Sequence, residues 1–134
     1  MPPVSIAKIP FILDSYLAAG LLGAVIAYEG QKFDPPNNKL WLRPVCKTGD
    51  MLDNEKGKDG YSRRVGVYLV DIFAPKDGPD IADAWELAAQ VEKLFRRECI
   101  DCVITEDPSI ANLGLNDRDN FQLRVTVPWW CWTV

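Results

Sequence analysis

Histidine is absent from the 134-residue chain, which removes the commonest general base, proton shuttle and metal ligand near neutral pH. A phosphate-cradling loop is missing too. Gly57-Lys58 has neither the Walker spacing nor a following Ser or Thr, and no Gly-x-Gly-x-x-Gly follows a strand. No Gly-x-Ser-x-Gly elbow occurs. Carboxylates are plentiful, but Asp77 and Asp80 belong to turn and cap chemistry, while Asp14, Asp83 and Glu86 fall on helix faces. The expectation is a protein that is not an enzyme and carries no cofactor.

Positive charge is scarce: 15 Lys and Arg against 19 Asp and Glu give a net charge of −4. A surface of that balance is not built as a whole to hold a phosphate backbone. Long apolar runs are lacking as well. Residues 9–27 come closest, but Pro10, Asp14 and Ser15 interrupt them, and a spanning helix needs about 20 largely uninterrupted apolar residues. Val25-Ile26-Ala27 has the small-residue pattern of a leader cleavage site, yet Asp14 inside the run and Lys8 as the one lysine ahead of it argue for a core helix. Of the cysteines at 46, 99, 102 and 131, only Cys99-Ile100-Asp101-Cys102 has knuckle spacing, so half of a four-cysteine zinc site is missing. That pair follows a helix, the wrong end for a dipole-activated thiol. Four reduced, largely buried thiols are expected.

What is present suits one globular domain spanning 1–134, with 48% apolar and 25% charged residues and no internal repeat. Ser5 is placed to cap a helix over about 6–20, where Ile6, Ile9, Leu13, Tyr16, Leu17 and Leu21 recur at helical spacing. Short strands follow at Val25–Tyr28 and Leu40–Cys46. The adjacent prolines of Asp34-Pro35-Pro36 separate them, since neither can donate to a ladder. Pro44 places its strand at an edge, a terminus or a bulge. Residues 47–60 hold three glycines and many charges, which predicts a long flexible loop. It reads as either a solvated hairpin connection or an arm for a partner, with Lys47, Asp50, Asp53, Lys56 and Lys58 as candidate contacts.

Val65–Phe73 is apolar on both alternating faces apart from Gly66 and Asp71, as in a central strand or a sheet side buried by another subunit. Asp80 is placed to cap a helix over about 81–98. Ile81, Ala84, Trp85, Ala88, Val91, Leu94 and Phe95 form its apolar face, and Asp83, Glu86, Gln90, Lys93 and Arg97 the polar one. Lys93, Arg96 and Arg97 then complement the helix dipole. Short strands are expected at 103–106 and 110–113, and a strictly alternating one at Phe121–Val127. Trp129, Trp130 and Trp132 either complete the core or form a patch awaiting a partner, and they are the candidate subunit interface. The expected fold is α+β, a mostly antiparallel sheet of four to six strands with two main helices on one face.

Several pieces in order carry a further likeness. An apolar N-terminal helix precedes Tyr28-Glu29-Gly30-Gln31-Lys32-Phe33-Asp34-Pro35-Pro36 and Leu40-Trp41-Leu42-Arg43-Pro44. Then come a glycine-flanked loop ending Gly60-Tyr61, Val70-Asp71-Ile72-Phe73-Ala74-Pro75, a helix ending Leu94-Phe95, and a last strand running into Val127-Pro128. Together they resemble the tail-terminator, or tail-completion, minor tail proteins of phages and prophages with long non-contractile tails, typified by the lambda tail terminator. That resemblance implies a ring, hexameric in the family, capping the head-proximal end of the tail tube. Its partners are then copies of itself, the major tail-tube protein and a head–tail connector or stopper. DNA meets it only in passage through the lumen, and no membrane is involved. The protein is then made in the host cytoplasm and ends in the virion tail. The alternatives are another head–tail joining protein, such as a stopper or adaptor, or a small ligand-binding or enzymatic α+β domain.

Overall fold

Three long strands organise the chain. The computed structural model describes residues 3–53, 61–76, 81–116 and 118–133. A 3-10 turn, Ile6–Lys8, runs into α1 (Ile9–Gly20). Next come β1 (Trp41–Asp53), β2 (Ser62–Pro75), α2 (Ile81–Phe95), β3 (Cys99–Ile100), β4 (Val103–Thr105), β5 (Ser109–Leu115) and β6 (Asn120–Thr133). All strand pairs are antiparallel, in the order β1-β2-β6-β4-β3, with β5 also on β6. Helices and sheet make the α+β fold expected from the sequence.

Alternation decides which side chains meet the helices. On β2, Tyr68, Val70, Ile72 and Ala74 are buried, and on β6 Leu123, Val125, Val127, Trp129 and Cys131. They form one core with Ile9, Leu13 and Leu17 of α1 and Ala84, Ala88, Val91 and Phe95 of α2. Full burial of each large member contributes about 1.5–3 kcal/mol relative to exposure.

Local chemistry shifts several boundaries. Ser5 makes no side-chain cap; its backbone carbonyl accepts from Lys8 N at 3.0 Å, which tightens the first turn into 3-10 geometry. α2 stops at Phe95 because Thr105 closes it: its hydroxyl donates to the Phe95 carbonyl at 2.5 Å and accepts from Glu98 N at 2.9 Å. Asp80, the expected cap, lies outside the described residues. Trp85 belongs to the flank of α2 and is 41% exposed, not core. The stretch 25–28 is no strand. It makes one parallel bridge, Ile26 to Leu42, with Leu42 N donating to Val25 O and Ala27 N to Leu42 O.

The largest revision concerns 47–60. β1 continues to Asp53 and pairs with Ser62–Val67 across an irregularity between Thr48 and Met51, so half of the expected loop is strand. Lys56 and Lys58 lie outside the described residues. β6 likewise runs through Pro128 to Thr133.

Both strand prolines have a positional reason. Leu42 turns its N–H and C=O towards 25–27, away from β2. In an antiparallel ladder the next residue facing that way is Pro44, where no donor is needed. On β6, the Pro128 carbonyl accepts from Glu106 N at 2.9 Å. Its missing N–H faces the junction where β6 changes partner from β5 to β4.

Candidate assembly surface

Both helices lie on one face of the sheet, so the other face shows what the strands alone present. At one end, Trp41 stacks on Phe73 with ring centroids 4.1 Å apart, and Phe33, Val25 and Ala27 complete a small second cluster. The adjoining row is Arg43, Asp71 and Arg124 across β1, β2 and β6. Asp71 is 2% exposed and holds both guanidinium groups. Arg124 donates twice, at 2.7 and 3.1 Å, and Arg43 once, at 3.0 Å. A buried carboxylate is tolerated here because its oxygens are fully engaged. The Arg124 guanidinium is pushed up in turn by its bonds to Asp71. The sequence signal for this site is Asp71 itself, an acid in the otherwise apolar run Val65–Phe73.

Beyond that row the face is an apolar stripe. Val45, Leu69 and Thr126 align, then Lys47, Val67 and Pro128, then Val65, Trp130 and Ile104, then Arg63 and Trp132. Apart from exposed Lys47, these side chains are half-buried. Trp130 and Trp132 meet edge to face at 6.4 Å, Arg63 lies 4.5 Å over the Trp130 ring, and Trp130 Nε1 donates to Glu106 at 2.9 Å. Half-buried aromatics with an arginine are the composition of interface anchors.

The three candidate tryptophans therefore separate. Trp130 and Trp132 come together on the open face, whereas Trp129 is core, 1% exposed. Strand alternation sends neighbours to opposite sides, and the Trp129 ring occupies the space that a side chain on Gly66, its cross-strand partner, would fill. Lys47 belongs to the open face. Asp50 and Asp53 stand on β1 near its end, and not on a free loop.

Several partly or fully buried titratable groups are biased towards their protonated forms. Burial pushes the Cys46 thiol up to about 12, with the charges of Asp14 and Glu29 adding to it. Cys131 is pushed up to about 11 by burial, against the opposing charge of Arg64. Thiols held protonated are poor nucleophiles. The Tyr68 hydroxyl, also raised chiefly by burial, donates to Asp14 at 2.5 Å. Phe11, Tyr28, Glu29 and Asp14 line an open cleft of about 290 Å³ beside it. Among the described residues, no group of three or more metal-ligating side chains comes together. No described helix is long and apolar enough to cross a membrane.

Comparison with known proteins bears on this surface. A sequence model of the family described as phage tail terminator protein matches residues 9–129. No curated protein matches the sequence significantly. One solved chain shares the fold with a TM-score of 0.63 at 18% sequence identity, over 93% of this chain and 91% of its own.

Proposed function

The chain belongs to the phage tail terminator protein family, and on that premise we propose that it closes into a ring, hexameric as the family resemblance implies, on the head-proximal end of a phage tail tube. The ring stops further addition of tube subunits and presents the surface that the head connector or stopper meets. Its work is steric and adhesive; no substrate is transformed.

The observation that carries this reading is the open sheet face. Val65, Val67, Leu69, Pro128, Trp130 and Trp132 lie half-buried with no described helix over them. A subunit that works alone gains nothing from such a stripe, whereas one that packs against copies of itself and a tube end buries it. The second proposed contact element is the end of β1 with Asp50 and Asp53, and Lys47 adds a charge on the open face; Lys56 and Lys58, the other candidate contacts, lie outside the described residues. DNA is a passing neighbour, in keeping with the net charge of −4.

Negative-stain microscopy of the purified protein with and without tail-tube subunits tests the proposal. Six-fold rings, or tubes of fixed length with a closed end, are expected. Open tubes that keep growing in excess protein overturn it.

A further inference from the structure

Sheet edges carry unpaired N–H and C=O groups, and soluble proteins guard them with charge, proline, bulges or brevity. This sheet ends in β1 on one side and in β3 and β5 on the other. β3 is two residues long. β5 is seven, Ser-Ile-Ala-Asn-Leu-Gly-Leu, without one charged residue or proline. Most of it is exposed, with Leu113 at 47% and Leu115 at 51%. Its one guard is the irregularity between Asn112 and Gly114, where Gly114 takes φ 75°, so Ser109–Asn112 remains a regular open edge.

Which groups face outward follows from the ladder. The Pro128 carbonyl points to the β4 side of β6, so the even-numbered residues of β6 bond in that direction. Thr126 and Arg124 therefore bond to Ser109 and Ala111 opposite them. Ile110 and Asn112 then turn their N–H and C=O out into solvent. On the far side of the sheet, Leu42 is satisfied by 25–27, and the same alternation leaves Cys46 and Thr48 of β1 facing outward. The guards there are Pro44, which ends before Val45, and the irregularity between Thr48 and Met51, so the open stretch runs from Val45 to the start of that irregularity.

We propose that these two edges are made for each other: β1 of one copy, over residues 45–49, pairs with β5 of the next, over residues 109–112. Only an extended chain satisfies a row of alternating donors and acceptors. Opposite edges of one sheet give a head-to-tail contact, which repeats until the rotation closes. Uncharged β5 sets no like charge against Lys47. The inference rests on the ring reading above, and specifies its subunit contact.

Amide hydrogen exchange, read by mass spectrometry on the free subunit and on subunits seated on tail tubes, tests the pairing. Exchange in peptides covering 45–49 and 109–112 is expected to slow about tenfold or more on assembly. Capped tubes in which both segments exchange as fast as in the free subunit overturn the pairing and leave the ring standing. Slowing at β5 alone overturns it too, because the added strand then comes from another protein. Tubes that are never capped overturn the ring reading and this inference with it. Asn112→Pro and Asn112→Ala give a second arm. Both remove the side-chain oxygen that accepts from Gly114 N at 2.8 Å, but only proline removes the outward N–H. Capping lost in the proline variant and kept in the alanine variant supports the pairing; equal capping by both overturns it.

Discussion

A Cβ on Gly66 meets the Lys47 carbonyl oxygen and the Trp129 ring well inside van der Waals contact. The backbone oxygen has nowhere to go, so the indole or the strand must shift. Gly66→Ala is expected to cost about 1–3 kcal/mol, as overpacking of a filled core does. Gly49→Ala, whose nearest contact is 3.2 Å, is expected to cost less, and denaturant unfolding of both variants compares them. Asp14 offers a pH-dependent case. Burial raises its carboxyl above the ordinary 3.8, the Tyr68 hydrogen bond lowers it, and the charge of Glu29 raises it again. The folded chain thus holds this proton more tightly than the unfolded one. The contribution is full below the ordinary value and is lost as pH rises through the higher folded value. Asp14→Asn keeps an acceptor for Tyr68 and carries no charge. Relative to the native protein it is expected to gain stability between acid and neutral pH, and only modestly because Asp14 is partly exposed. Parallel denaturant titrations at the two pH values check this, and a difference that does not change with pH counts against it.

Strand β6 shows how an element divides its duties. Fourteen residues alternate so that Leu123, Val125, Val127 and Trp129 hold the core while Arg124, Thr126, Trp130 and Trp132 face away. Trp129→Ala is expected to cost about 3–5 kcal/mol, the range for emptying a large aromatic site. Trp132→Ala is expected to cost under about 1 kcal/mol in the free subunit yet impair tube capping. Thermal unfolding beside the capping assay separates the two, and equal thermal losses would contradict the division. The helices follow the same logic with a period of 3.6. Helical spacing located α1 and α2, but put Trp85 on the buried face, because a wide apolar stripe does not reveal which margin the sheet reaches.

In the proposed assembly the contacts fall on the open sheet face, the two sheet edges and the end of the β1–β2 pair. Replacing residues 54–60, which lie outside the described residues, by a two-residue turn is expected to leave the unfolding temperature of the subunit within about 3 °C, because β1 and β2 already pair as far as Asp53 and Ser62, while capping efficiency falls. A cooperative transition lost in that variant makes the hairpin end structural instead.

Both helices, most of the strands, the antiparallel α+β class and the restricted place of Pro44 were legible in the chain, since hydrophobic period and proline geometry are local properties. The length of β1 was not legible, because Gly49 and the charges near it look like loop until a neighbouring strand supplies their hydrogen bonds. Nor was the parting of Trp129 from Trp130 and Trp132, because the phase of a strand is set only by what lies beneath it. Sequence by itself determined the two helices and most of the extended segments, because their periods are written in consecutive residues. Tertiary pairing alone decided which apolar side chains the core takes and which stay on the open face, because burial is a property of two surfaces meeting and not of one residue.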